Sequence, residues 1–261
     1  MLSSGILPLL LVLLDSGRAE AAVAVLLVLS SCDDNKASIG SSGTIPRLIE
    51  LLDSDSYQCR QDALNTLYNL STYVGNKSRM VSAGAVWKIV QLLGAGEVDC
   101  TEICISICYN LVAVEEGREA IAETDGCIVA IAELLDTCTP KQQEQAAVTL
   151  LLLCTNSSQH CQLVLQEGVI PSLVTLSVNG SSWGRDKAQK LLQHFREQRQ
   201  RDSSWLSTSP KVVVCNTEAS SMNPENLFKG GKRRLCKTTS RKIGRTLSFF
   251  WKSKSFVMYQ C

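Results

Sequence analysis

One short pattern recurs five times along this chain, and it limits the possible folds more than any other feature. The five starts are Gly5-Ile-Leu-Pro-Leu-Leu, Gly43-Thr-Ile-Pro-Arg-Leu, Gly84-Ala-Val-Trp-Lys-Ile, Gly126-Cys-Ile-Val-Ala-Ile and Gly168-Val-Ile-Pro-Ser-Leu. Their glycines stand 38, 41, 42 and 42 residues apart. A fixed period of this length marks stacked supersecondary units, none of which can bury its apolar face alone. After each start the apolar residues fall at helical spacing, as in Ile45, Leu48, Ile49, Leu51 and Leu52. A polar break follows, such as Asp53-Ser-Asp-Ser56. Then comes a second helical stripe, near Arg60–Ser71 in this unit, with Ala63, Leu64, Leu67 and Leu70 on one side.

The junctions fit this reading. A glycine just after a helix takes the left-handed conformation that other residues resist. Pro8, Pro46 and Pro171 stand three residues later, where a helix begins and a missing N–H costs nothing. Short helices ending near Ser82 and Glu167 precede their glycines, so one unit is a short leading helix plus two longer ones. Aromatics make up 5% of the chain, thin for a β-sandwich and natural for stacked helices.

Repeat length and three-helix layout together resemble the armadillo repeat, over residues 1–195. The resemblance implies an all-α armadillo-repeat solenoid, a right-handed superhelix whose last helix in each unit lines a concave groove. We expect the solenoid to occupy residues 1–201, with about five units and the first truncated. A disordered linker over 202–228 and a basic, aromatic tail over 229–261 would follow.

Armadillo repeats often carry an Asn on the groove helix. Here Leu-Tyr-Asn69-Leu-Ser aligns with Cys-Tyr-Asn110-Leu-Val, whereas the first and fourth units place Val28 and Leu152 at that position. The Asn ladder is therefore broken, and no Trp precedes either Asn by one helical turn. Both departures argue against an import adaptor that clamps extended basic peptides. Tyr68, Asn69, Tyr109 and Asn110 are the candidate partner-binding residues. The competing reading for each Asn is a local bond to the backbone. Trp87 replaces the proline of its unit and is expected in the core.

The C-terminal half narrows the resemblance. Glu144-Gln-Ala-Ala-Val-Thr-Leu-Leu-Leu-Leu-Cys154, Val164-Leu-Gln-Glu-Gly-Val-Ile-Pro-Ser-Leu-Val174 and Gly184-Arg-Asp-Lys-Ala-Gln-Lys-Leu-Leu192 are similar to plant U-box/armadillo proteins. So is the tail Gly244-Arg-Thr-Leu-Ser-Phe-Phe-Trp-Lys-Ser-Lys-Ser-Phe256. Those are modular ubiquitin ligases whose U-box recruits a ubiquitin-conjugating enzyme, and whose armadillo array is a substrate-binding or regulatory arm. The resemblance implies a protein partner or ubiquitination substrate in the groove. A Cys-Pro-Ile type segment, which opens a U-box, is not found here, and Met1 falls four residues before the first start. The expectation is a chain that begins inside the solenoid. Contact with a conjugating enzyme would then need a U-box from elsewhere, and no residue present carries ligase chemistry. The alternative is a U-box-less scaffold or a membrane-associated adaptor.

Other chemistry finds little support. There is no Gly-rich phosphate loop, no G-x-S-x-G and no H-E-x-x-H. The acidic pairs Asp33/Asp34 and Glu115/Glu116 read as solvated charges in loops. Twelve Cys are scattered without a C-x-x-C, and His160 and His194 are the two His, which leaves no zinc quartet. Cys100, Cys104 and Cys108, spaced by four, read as small buried core residues. We therefore expect no catalytic residue, metal or cofactor, and a reduced intracellular protein in cytoplasm, nucleus or both. The apolar run Ile6–Leu14 lacks the positive start of a signal peptide and is too short to span a membrane. As part of a first repeat it would expose Leu9, Leu10 and Leu13.

The formal net charge of +1 hides an asymmetry that excludes a uniformly basic nucleic-acid binder. Residues 226–261 carry ten Lys and Arg and no acid, so residues 1–225 carry a net −9. Lys232, Arg233 and Arg234 with Arg241, Lys242 and Arg245 form the basic patch. It suits a nuclear localisation signal, an anionic membrane surface together with Leu247, Phe249, Phe250 and Trp251, an intramolecular contact with the acidic solenoid, or plain solubilisation. Arg245-Thr-Leu-Ser248 has the form of a basophilic kinase site, which makes Ser248 a candidate phosphosite.

Overall fold

A computed structural model describes residues 5–94, 98–137 and 139–207. Among these residues every regular element is a helix. The first unit contributes α1 (Ile6–Asp15) and α2 (Ala19–Ser30). The second has α3 (Asp33–Ser41), α4 (Thr44–Glu50, extended by a 3-10 turn Leu51–Asp53) and α5 (Tyr57–Ser71). The third has α6 (Val74–Ser82), α7 (Ala85–Gly94) and α8 (Val98–Leu111). The fourth has α9 (Glu115–Glu123), α10 (Cys127–Thr137) and α11 (Pro140–Asn156), and the fifth α12 (Ser158–Gln166), α13 (Ile170–Asn179) and α14 (Ser182–Ser207). The last helices α2, α5, α8, α11 and α14 pack in series, each on the next. This is the short–long–long unit that the period predicts, stacked as an armadillo solenoid. Lys232, Arg233, Arg234, Arg241, Lys242, Arg245 and Ser248 lie outside the described residues, as does the rest of the basic tail.

The junction glycines behave as expected in four units. Gly43, Gly84, Gly126 and Gly168 have φ of 90°, 82°, 78° and 68°. Gly5 departs from the expectation, with φ −100°. The second long helix of unit two starts at Tyr57 rather than near Arg60, because the Ser56 hydroxyl caps it by accepting from the Cys59 N–H. Thr139 and Gln142 form a reciprocal capping box on α11.

The core is continuous along the array. Leu26, Ile39, Leu48, Leu70, Ile105, Leu111, Ile131 and Leu150 are fully buried. Cys100, Cys104 and Cys108 are buried too, as read from their spacing. A bond with Cys127 and then burial push the Cys108 thiol well above its ordinary value, and burial pushes up that of Cys154. Such thiols pack as small apolar groups rather than react. Cys32 is the exposed one among the described cysteines.

Three expectations are corrected. Trp87 is 59% exposed, not core. Its column explains this, since Pro8, Pro46 and Pro171 at the same position of the first helical turn are exposed as well. The acidic pairs Asp33/Asp34 and Glu115/Glu116 are exposed, yet they sit in the first turns of α3 and α9 rather than in loops. There they complement the helix dipole, and Glu116 also accepts from Ser78 of the preceding unit at 3.4 Å. Of the leucines expected to be exposed on the first helix, Leu9 is, but Leu10 is buried and Leu13 half-buried.

The leading helices use one side chain in a repeated way. Asn35 Nδ2 donates to Leu29 O at 3.0 Å, Asn76 Nδ2 to Leu70 O at 3.2 Å, and an Arg118 guanidinium N–H to Val112 O at 3.1 Å. Each donor reaches six residues back to a carbonyl at the end of the preceding last helix. In unit five the column holds His160, and the corresponding carbonyl, Cys154 O, is taken by His194 Nε2 at 2.9 Å. His160 Nδ1 is buried without a hydrogen-bond partner.

Candidate partner-binding face

The groove layer of an armadillo solenoid is made by its last helices, so the site is built on α2, α5, α8, α11 and α14. Successive helices place Val28, Asn69, Asn110, Leu152 and His194 in one column, 41 or 42 residues apart. The structure gives this column a role different from a local backbone bond. Asn69 Nδ2 donates to Ser30 Oγ at 3.0 Å, and Asn110 Nδ2 donates to Ser71 Oγ at 2.8 Å. Each bond crosses to the preceding unit, 39 residues back. The next position in the column is apolar, the half-buried Leu152, which packs against the core. The last is His194 on the Cys154 carbonyl.

The column is thus a set of rungs that fixes the stagger of neighbouring units. Neutral bonds of this kind contribute about 1 kcal/mol each, and they resist replacement because a half-buried partner would be left unpaired. His194 was missed by the sequence reading, which looked only for Asn. The period itself could have found it, since His194 stands 42 residues after Leu152.

Tyr68 and Tyr109 occupy the neighbouring column, one unit apart. Tyr68 is exposed and Tyr109 half-buried. Their counterparts Leu27 and Leu151 are half-buried aliphatic residues, so the middle of the array carries an aromatic pair flanked by apolar surface. One turn before the rungs stand Ala24, Asn65, Ser106, Val148 and Lys190. Asn65 is satisfied locally by Gln61 O at 2.9 Å, and Ser106 and Gln145 bond each other across units.

Farther toward the helix starts, Glu102 pairs with Lys141 of the next unit at 2.6 Å, and Glu144 accepts from Ser181. The middle helices repeat this habit. Arg47 pairs with Asp15 at 3.0 Å, the buried Lys88 with Asp53, and Ser172 donates to Asp136 at 2.8 Å. Asp15, Asp53, Glu102, Asp136 and Glu144 are thereby used between units.

The leading-helix layer opens at one place. The close packing of α3 on α6 and of α6 on α9 is not repeated between α9 and α12. A cleft of about 440 Å³ lies there, lined by Glu115, Glu119, Glu123, Asn156, Gln159 and His160. No group of three metal-ligating side chains occurs among the described residues. Nor is any single helix among them long and apolar enough to cross a membrane.

A stack of three-helix units, joined through the last-helix layer by polar rungs, defines an armadillo-repeat protein. Comparison with known proteins narrows the class. The family model for the plant U-box protein ARM repeat region matches residues 3–213. U-box domain-containing protein 45 of Arabidopsis thaliana is 42% identical over 264 residues, covering 100% of this chain and 34% of its own length. Among solved structures, the designed armadillo repeat protein YIII(Dq)4CqI superposes with a TM-score of 0.66 at 20% identity, covering 73% of this chain and 82% of its own. A related design, in complex with the peptide (KR)4, gives a TM-score of 0.65 at 20% identity, with the same coverage of each chain. This chain belongs to the armadillo-repeat family of plant U-box proteins. It spans about a third of the length of U-box domain-containing protein 45.

Proposed function

We propose that this chain is the protein-binding arm of a U-box type ubiquitin ligase system, and that it holds a substrate or regulatory protein against its last-helix layer. The observation that carries the reading is the aromatic pair Tyr68 and Tyr109, presented one unit apart beside rungs that hold adjacent helices in fixed stagger. Tyrosines presented on a rigid scaffold lose little side-chain freedom on binding and contribute large contact area, which is the usual composition of an interface hot spot. Recruitment of a ubiquitin-conjugating enzyme belongs to the U-box of such ligases and is not a property of the residues described above. The basic tail would address the protein to nucleus or membrane within the cell, with Ser248 as the phosphorylation point that weakens its charge.

The test is proximity labelling in plant cells, comparing wild type with the Y68A/Y109A pair. Loss of a defined set of ubiquitinated neighbours from the variant, at unchanged protein level, is the expected result. An unaltered set would refute the assignment of the site. Neighbours devoid of ubiquitin would favour the scaffold reading instead.

A further inference from the structure

The fifth unit presents a face that the units before it hide. On α13, Ile170, Val174 and Val178 stand four residues apart and are 46%, 48% and 66% exposed. The Ile170 column is buried as Ile45, Val86 and Ile128 in units two to four. The Val174 column packs against the core as Leu11, Ile49, Val90 and Ala132. Both columns therefore face forward along the array. On α14 the forward face is the stripe Arg185, Gln189, Leu192, Arg196 and Arg199, spaced by four, three, four and three.

The residue types here are not those of a face that receives another unit. The Gln189 column holds Val23, Leu64, Ile105 and Ala147 in earlier units, all buried. The Arg196 column holds Ser30, Ser71, Val112 and Cys154, also buried. A unit stacked on α14 would take an amide and a guanidinium out of water at positions that earlier units fill with small or apolar groups. Val178 stands where Asp15, Asp53 and Asp136 accept from Arg47, Lys88 and Ser172 of the following unit. The receiving carboxylate is replaced by carbon. The face is a surface in its own right, an apolar stripe on one helix beside a basic stripe on the next.

Charge indicates the occupant. Helix α13 carries no charged residue. On α14, Arg185, Arg196 and Arg199 are exposed, and their side chains form no hydrogen bond or ion pair. The neighbouring acids are already engaged, Asp186 by Lys187 and Lys190, and Glu197 by Gln193. Unpaired guanidinium groups beside an apolar stripe match an anionic phospholipid surface. Their stems lie on the apolar layer while their heads meet phosphate. The sequence after α14 has the same makeup, with ten Lys and Arg, no acid, and Leu247, Phe249, Phe250 and Trp251 over residues 226–261. An acidic protein segment would also satisfy the arginines. A basic and apolar composition shared by two separate segments favours lipid, on which weak signals add.

We propose that the forward face of α13 and α14 binds anionic phospholipid membranes, through Ile170, Val174 and Val178 together with Arg185, Arg196 and Arg199. This goes beyond the reading of the tail as a membrane address, since it gives the folded array a lipid contact of its own. The last-helix layer of units two and three stays free, so a membrane-held chain still presents Tyr68 and Tyr109.

Co-sedimentation of the full 261-residue chain with phosphatidylcholine vesicles, with and without phosphatidylserine, tests this directly. Wild type is expected to sediment with the phosphatidylserine vesicles and to stay in solution with phosphatidylcholine alone. R185Q/R196Q/R199Q should weaken binding by about fivefold per charge removed. V174Q/V178D should weaken it about tenfold through lost apolar contact. All these side chains are exposed, and Val178→Asp restores the residue of its column, so circular dichroism should show unchanged helix content and melting. F249A/F250A/W251A removes the tail anchors separately. Loss of binding in the tail variant alone would overturn the proposal and leave the tail reading standing. Loss in the α13 and α14 variants alone would uphold the proposal against the tail reading. A wild type that ignores phosphatidylserine vesicles would overturn it and leave the arginines to an acidic protein.

Discussion

Replacing Asn76 by Ala is expected to cost about 2–4 kcal/mol, because it removes two buried hydrogen bonds at once and leaves a cavity where the amide stood. Asn76 is fully buried, and its Nδ2 bridges Lys36 O at 2.9 Å and Leu70 O at 3.2 Å. One bond closes the end of α5 and the other ties α6 to α3, so the loss acts on the joint between two units. A coupled effect follows at Gly40. A Cβ there would lie 1.9 Å from Asn76 Oδ1, so Gly40→Ala must displace the same amide and break the same bonds. In the Asn76→Ala background that obstacle is gone. The double variant G40A/N76A should therefore be no less stable than N76A alone, and slightly more stable if the helix preference for Ala over Gly in α3 is realised. Thermal and urea melts of the four proteins measure this. Additive losses would show that Gly40 and Asn76 act independently.

Gly117→Ala is the second large effect, and it has no such rescue. Its Cβ would fall 1.9 Å from Leu111 O and 2.6 Å from Leu111 C. Both are backbone atoms at the end of α8, so no side chain can step aside. The leading helix α9 must move off the end of α8, at a cost of about 3 kcal/mol or more by the standards of overpacked cores. Gly84→Ala provides the comparison. Nothing lies within 4 Å of its Cβ, and only the positive φ of 82° resists the substitution, which costs about 1–2 kcal/mol. Urea denaturation should rank G117A well below G84A. The reverse order would mean that the α8–α9 joint is looser than the geometry shows.

The repeat was legible because glycine, proline and the apolar stripe obey strong local rules. Four of the five junction glycines take the positive φ that their place after a helix calls for, and the spaced cysteines lie in the core. Trp87 stands at the surface although it was expected in the core, because its column decides its burial. The prolines that it replaces mark the first helical turn, which faces solvent here. The two Asn positions were legible, but not the direction of their amides. Whether an amide points at a partner or at Ser30 depends on the stagger between units, which no local rule sets. His194 lay hidden because the column changes residue type while keeping its task. Asp33 and Glu115 were placed in loops because polar pairs break a stripe, yet the same charges favour the start of a helix.

The proposed function depends on which face of the solenoid meets its partner. A photo-crosslinking residue, p-benzoylphenylalanine, placed at Tyr68 and separately at Glu119, tests this most directly in cells. Tyr68 lies on the last-helix layer, and Glu119 lines the cleft between α9 and α12. Discrete protein adducts from position 68, and none from position 119, are the predicted result. Adducts from 119 alone would contradict the account and move the binding surface to the leading-helix edge.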